Sequence, residues 1–280
     1  MHNNLKKQFP IFVLPTLAAF LIAFAIPFFM GIYLSFTEFT TITDASFVGV
    51  QNYMKAFSDN SFLSALWFTV RFTVVSVITV NIIAFTLAMI LTKGLKGTNF
   101  FRTVFFMPNL IGGIVLGYIW QIIINGILQY AGVTITFDPK YGFLGLVVLT
   151  NWQLIGYMMI IYIAGIQNIP GDLIDASKVD GAGFFDTLKN VIIPMVMPSV
   201  TICLFLTLTN SFKLFDANLA LTDGAPAGKT TMLALDIYKT FYGRIGYQGV
   251  GQAKAVVFFL IAALISLVQL GITRRKEVDV

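Results

Sequence analysis

The chain has 280 residues, of which 57% are hydrophobic and only 11% charged, whereas a soluble domain carries about 45–50% apolar and about 25% charged residues. That balance excludes a soluble globular enzyme and points to an integral membrane protein. The net charge of +5 would suggest an anionic partner in a soluble chain, but here it is better assigned to basic loops lying on an anionic inner leaflet, and nucleic-acid binding is not expected.

Six apolar stretches reach the ~20 residues needed to cross a hydrocarbon core, near 11–36, 66–92, 103–127, 143–166, 192–215 and 253–273. The first is longer than the core of a signal peptide and lacks a small-residue cleavage pattern, so it is read as a span interrupted by Pro15 and Pro27. Basic residues collect in the tail (Lys6, Lys7), after the second span (Lys93, Lys96, Arg102) and at the end (Arg274, Arg275, Lys276). These three segments belong on one side, the cytoplasm, which places both termini inside and the segments 37–65 and 128–142 outside. In the second span, Arg71 is expected to snorkel and Asn81 to fix a neighbouring helix. Cys203, the single cysteine, is a packing residue inside an apolar run.

In the fourth span Trp152, Gln153 and Tyr157 offer an aromatic platform and an amide, which suits stacking on a sugar ring. Trp152 also reads as an interface-belt tryptophan. Between the fourth and fifth spans lies a polar island, 167–194, whose first part carries Asp172, Asp175, Asp180 and Asp186 against Lys178 and Lys189. An acidic loop on the basic side of the membrane is easier to understand as a docking surface than as an anchor. Pro170 and Gly171 end the preceding helix, and Asp172 is the expected N-cap of a short helix through Lys178. Gly181 to Gly183 permits a sharp turn. A second short helix, Phe184 to Asn190, follows before Pro194 opens the fifth span. The competing reading of this island is an ordinary interfacial helix.

In the fifth span Thr207, Asn210, Ser211 and Leu214 recur at i, i+3, i+4 and i+7 and share one helix face. Its hydroxyls and amide could satisfy a sugar, or could form a helix–helix hydrogen-bond seam. Lys213 and Asp216, near the outer end, are expected to pair or to snorkel, with an outer gate as the alternative. Gly224 to Thr230 superficially resembles a phosphate loop, but three residues rather than four separate its glycines and no strand precedes it. His2 is the only histidine, so neither a histidine metal site nor a Ser-His pair is available inside the membrane, and none of the chemistry of an enzyme is expected.

The run Asp175-Ala176-Ser177, then Gly181, then Val191-x-Ile193-Pro194 resembles the EAA loop of ABC importer permeases, whose pattern is Glu-Ala-Ala, three residues, Gly, nine residues, Ile-x-Leu-Pro. Every spacing matches, with Asp for Glu, Ser for Ala, Val for Ile and Ile for Leu as the departures. Phe212 to Asp216 followed by Leu221-Thr-Asp-Gly-Ala-Pro226 is similar to the matching stretch of carbohydrate-uptake permeases, maltose-type and glycerol-phosphate-type, with Ala225 in place of a glycine. With Arg102 to Pro108 and the ending after Gln269, the likeness covers nearly the whole chain.

The resemblance implies an all-α integral membrane protein of the ABC type I importer permease kind, one domain over 1–280 with six transmembrane helices and a cytoplasmic two-helix coupling loop. It implies residence in a bacterial or archaeal cell membrane and contact with an ATPase groove through Asp175, Ala176, Ser177, Asp180, Gly181, Ala182 and Pro194. ATP and Mg would be bound by two partner ATPase subunits and no cofactor by this chain. A second related permease subunit and an extracellular solute-binding protein complete the implied assembly. The likeness also implies sugar contacts at Asn109 and Gly113 of the third span, at Gln153, Leu154 and Tyr157 of the fourth, and along the 207–214 face. The rival reading is a stand-alone secondary carrier, for which internal repeats and ionisable mid-span residues are the expected marks and are not found.

Overall fold

The computed structural model describes residues 13–275 and Glu277. His2, Lys6, Lys7, Lys276 and the first two residues of the first expected span lie outside the described residues. The fold is helical throughout, with helices α1 (Val13–Leu34), α2 (Gln51–Ser58), α3 (Asn60–Leu91), α4 (Thr98–Phe106), α5 (Gly113–Leu128), α6 (Pro139–Gln167), α7 (Gly171–Val179), α8 (Phe184–Met195), α9 (Met197–Phe212), α10 (Asp216–Leu221), α11 (Leu233–Gly243) and α12 (Gln248–Arg274). One antiparallel ribbon, β1 (Thr37–Glu38) with β2 (Ser46–Phe47), adds the only sheet among the described residues, pairing Thr37 with Phe47 and Glu38 with Ser46. Among the described residues five helices are long and apolar enough to cross a membrane, and six when the bent pair α8 and α9 counts as one span.

The prolines account for most departures from the expected boundaries. Neither Pro15 nor Pro27 interrupts α1. A π-turn at Leu21–Ala25 precedes Pro27 by two residues. The same device recurs in α8, where a π-turn at Leu188–Ile192 precedes Pro194 by two residues. A wider turn makes room for a proline ring that would otherwise strike the carbonyl four residues back. Pro194 therefore does not open the fifth span. The second loop helix continues past Asn190 to Met195, bends by 72° at Val196, and the span proper starts at Met197 with Pro198 in its first turn. The third span is likewise shorter than 103–127. Pro108 sits in a 3-10 turn at Met107–Leu110, separating α4 from α5, which begins at Gly113. Asp172 is not the cap of α7. That position is Pro170, and Asp172 lies in the first turn, where its charge favours the positive helix end.

Two compact units can be distinguished: residues 1–62 with 237–259, and 63–236 with 260–280. In the first unit the ribbon is tied to α2 by Asn52, whose Nδ2 donates to Ser35 O at 3.0 Å and to Thr37 O at 2.8 Å. Lys254, fully buried on α12, donates to Asp59 Oδ2 at 2.8 Å and to Thr240 Oγ1 at 2.8 Å and lies over the Phe62 ring at 5.3 Å. Arg244 reaches the same Asp59 oxygen at 3.1 Å. Burial pushes the Asp59 carboxyl up, but its bonds to Lys254 and to the Ser61 hydroxyl and N–H outweigh this and hold it well below the ordinary carboxylate range.

In the second unit α3 and α6 run parallel. Phe143 meets Phe68 and Phe72 edge-on near their starts, and Tyr162 meets Phe85 at 5.4 Å further along. Lipid removes the hydrophobic gain from helix association, so close packing and interhelical hydrogen bonds must hold such helices together. Ala84 and Ala88, both fully buried, give α3 a smooth face in a cluster with Met158, Tyr162 and Cys203. One polar chain crosses this cluster. Tyr162 Oη donates to Asn81 Oδ1 at 2.7 Å, Asn81 Nδ2 donates to Thr207 Oγ1 at 3.2 Å, and Thr207 Oγ1 donates to Cys203 O at 2.7 Å. Asn81 thus fixes its neighbours, as its position in the sequence suggested.

Candidate functional site

The second unit contains a cavity of about 400 Å³ walled by α5, α6, α9 and α10. It gathers Asn109, Gly113, Gln153, Leu154, Asn210 and Leu214, together with Lys213 and Asp216. Each position has a local cause. Asn109 is presented by the 3-10 turn that Pro108 forces, and Gly113 starts α5 directly after it. Gln153 is held by donation of its Nε2 to Ile111 O at 3.3 Å. Asn210 turns its Nδ2 back on its own helix, to Leu206 O at 2.8 Å, and remains exposed with its carbonyl oxygen available. Among the described residues Lys213 and Asp216 form no ion pair with each other, so of the two expectations, pairing or snorkelling, the pairing is not met, and both border the cavity.

The helix face 207–214 divides. Thr207 is fully buried in the seam with Asn81, and Ser211 is fully buried with its hydroxyl lacking a protein partner; neither reaches the cavity, whereas Asn210 and Leu214 do. Trp152 instead meets Trp120 edge-on at 5.6 Å, and Tyr157 packs against Phe106 at 6.4 Å, so neither aromatic ring lines the cavity. Thr150 does line it, one turn before Gln153, and its hydroxyl has no protein partner. The sequence carried a signal for Thr150 in its i, i+3, i+4 relation to Gln153 and Leu154.

The fourth wall, α10, was legible only as a stretch following the fifth span. It seats against α5 through Gly113 and Gly117: a Cβ on Gly113 would lie 2.9 Å from Asp216 Cβ, and one on Gly117 would lie 2.5 Å from Ala220 Cβ. This small-x-x-x-small spacing lets the two backbones approach. Gln121 Nε2 then donates to Leu221 O at 2.9 Å, and the buried Asn218 binds Thr222 Oγ1, Thr230 O and the Met232 N–H. Every polar group of the Asn218 amide is thereby engaged, which fixes α10 and the loop after it.

The polar island folds as α7, a tight elbow and α8. Gly181 has φ +76°, and two bonds close the elbow: Ala182 N–H to Ser177 O at 3.0 Å and Gly181 N–H to Lys178 O at 3.1 Å. This is the Schellman arrangement, which calls for glycine at the left-handed position. Ser177 Oγ meets Thr187 Oγ1 at 3.2 Å and ties the two helices together. Asp175, Ala176, Asp180 and Gly181 are exposed, Ala182 and Pro194 half-buried and Ser177 buried. Asp175 pairs with Lys178 at 2.8 Å on the exposed surface, which contributes little to stability. Val179 and Phe185 are 87% and 79% exposed, so the projection offers apolar side chains beside its acids.

Residues 84–278 match the family described as binding-protein-dependent transport system inner membrane component. The chain is 44% identical over 278 residues, 96% of its length and 94% of the relative's, to a probable starch degradation products transport system permease protein of Thermoanaerobacterium thermosulfurigenes. It is 28% identical, over 99% of its length and 100% of the relative's, to a trehalose/maltose transport system permease protein of Thermococcus litoralis. The fold matches a chain of a bacterial ABC transporter involved in the import of the acidic polysaccharide alginate, with TM-score 0.82, 20% identity and 98% of both chains covered.

Proposed function

The chain belongs to the family of binding-protein-dependent transport system inner membrane components, and on that premise we propose that it is the permease subunit through which a carbohydrate, with starch breakdown products the first candidates, enters the cell. It is a multi-pass membrane protein and a transport component rather than an enzyme. ATP and Mg bind to separate ATPase subunits, a second related permease completes the pathway, an extracellular binding protein delivers the sugar, and both termini face the cytoplasm. The observation that carries the carbohydrate reading is the polar cavity, in which the amides of Asn109, Gln153 and Asn210 and the charges of Lys213 and Asp216 surround the apolar side chains of Leu154 and Leu214. Donors and acceptors beside flat hydrocarbon suit a sugar, whose rings present hydroxyl edges and C–H faces.

The 171–195 projection is the natural handle for the ATPases. It is compact and internally bonded, and it exposes four aspartates together with apolar side chains, Val179 and Phe185 the most open, on its surface. ATP-driven closure of the partners would move it as a rigid body, converting an outward-facing cavity into an inward-facing one. The decisive experiment is reconstitution with and without the ATPase and second permease subunits. Accumulation of maltooligosaccharide that requires ATP and all subunits is expected; uphill accumulation by this chain alone on an ion gradient would establish the secondary-carrier reading instead. Within the complex, Asn210→Leu should lower the sugar-stimulated ATPase rate with assembly intact, and an unchanged response to every sugar would remove Asn210 from the site.

A further inference from the structure

A second depression in the same unit, about 720 Å³ in volume, lies between α3 and the start of α6 and shares no residue with the polar cavity. Its floor is hydrocarbon and aromatic ring, with Val74 and Val75 from α3 and Phe143 and Leu144 from α6. A sugar would find no amide or hydroxyl there. Its rim carries three cations from three segments: Arg71, Lys140 and Lys229.

The cations gather at one end. Arg71 leans toward the start of α3, its guanidinium 5.6 Å from the centre of the Trp67 ring one turn earlier. Lys140 stands in the first turn of α6. Lys229 is brought there by its neighbour Thr230, whose methyl carbon would lie 2.8 Å from a Cβ on Gly142. All three side chains are exposed, and among the described residues none of the three forms an ion pair. Among the described residues no acidic side chain borders the depression, and Asp138, two residues before Lys140, uses its carboxylate to cap α6 through the Lys140 N–H at 2.8 Å.

We propose that this groove holds one anionic phospholipid, its acyl chains along the α3 and α6 floor and its phosphate among Arg71, Lys140 and Lys229. The match is of charge and of polarity gradient together. A phosphate takes the donors of a guanidinium and two ammonium groups, and the hydrocarbon floor begins below the cations, as acyl chains begin below a headgroup. An apolar helix from another subunit would cover the floor but leave three uncompensated charges at its edge.

The test titrates the full-length chain, with its co-purifying subunits, against phosphatidylglycerol and phosphatidylcholine and reads bound lipid by native mass spectrometry. Wild type should retain phosphatidylglycerol over phosphatidylcholine. The triple variant R71Q/K140Q/K229Q should weaken phosphatidylglycerol retention by roughly a hundredfold, about fivefold per charge, from about 1 kcal/mol for each basic residue near a headgroup. Val74→Trp, which leaves the cations in place and fills the floor, should weaken retention of both lipids. Equal retention of the two lipids by wild type, or unchanged retention by the triple variant, overturns the proposal. A photo-crosslinking residue at Leu144 should capture lipid, and capture of the second permease or of another copy of this chain overturns it as well.

Discussion

Replacement of Gly181 separates the conformational demand of the elbow from any demand for bare space. A Cβ built on Gly181 meets no atom of the described residues within 4 Å, so the cost of adding one lies in φ +76°. A β-branched residue in the left-handed region pays at least the about 1–2 kcal/mol typical of L-residues there, whereas asparagine visits it readily. If the elbow relaxes to avoid that strain, it forfeits the bonds from Ala182 to Ser177 and from Gly181 to Lys178. A shift of one or two kcal/mol lowers the population of the docking-competent elbow by a factor of about 5–30. Gly181→Val should therefore reduce ATP-driven uptake in proteoliposomes by that factor and weaken ATPase co-purification, with membrane yield unchanged, while Gly181→Asn keeps at least half of the wild-type rate. Gly181→Asp, isosteric with asparagine but charged beside Asp180, reads the electrostatics of the contact and should fall below Gly181→Asn. Wild-type uptake and co-purification in the valine variant would refute the argument from backbone strain. Equal loss with valine and asparagine would replace it by a need for bare glycine against the partner.

Three further outcomes follow from packing and charge. Thr207→Val removes the acceptor of Asn81 and the donor to Cys203 O, and should lower thermal stability by about 1 kcal/mol while sugar stimulation of ATPase activity is unchanged; altered sugar selectivity would return Thr207 to the binding site. Gly117→Leu puts a side chain where Ala220 Cβ already stands 2.5 Å from a built Cβ, and should displace α10, measurable as accelerated hydrogen exchange at 216–221; unchanged protection there would count against the seat. Asp59→Asn removes a carboxylate charge that the buried Lys254 ammonium and Arg244 share and should lower thermal stability, with the double variant D59N/K254M recovering part of the loss. Because the folded Asp59 carboxyl titrates below the ordinary carboxylate range, its contribution is complete above about pH 4 and lost as pH falls further, so the difference in Tm between wild type and D59N should shrink below that point.

The sequence exposed those features that rest on local periodicity or composition. Six apolar stretches, the acidic island and its glycine elbow follow from hydropathy, charge and backbone freedom, all of which act within a turn or two. The errors fall where a proline and a bend interact. Hydropathy continues without pause through Pro108 and Pro194, yet at both places the backbone leaves the α-helix, because the ring excludes one hydrogen bond and the chain takes the wider or tighter turn that costs least. The divided 207–214 face shows the second limit. Helical periodicity aligns Thr207 with Asn210, but which of them is sealed depends on Asn81, 126 residues away. Gly113 and Gly117 stand one turn apart, but the element that packs on them, α10, is too short to be recognised by periodicity.

Connectivity supplies the reason that a force on the loop would be felt at the cavity. The cavity wall formed by Thr150, Gln153 and Leu154 belongs to α6, which runs on to Gln167 and leads directly into α7. The opposite wall, Asn210 and Leu214, lies at and just beyond the end of α9, which α8 feeds through the 72° bend at Val196. The two walls are therefore the two arms on either side of the polar island, cross-braced partway by the bonds from Tyr162 through Asn81 to Thr207. A displacement of the island that keeps the brace intact must move both arms together, whereas one that strains the brace opens α6 from α9. Thr207→Val weakens the brace without touching the elbow or the cavity, so in the reconstituted complex it should raise ATP hydrolysis per sugar transported while leaving sugar affinity alone. A constant ratio of hydrolysis to transport in that variant would show that the arms move independently of the seam.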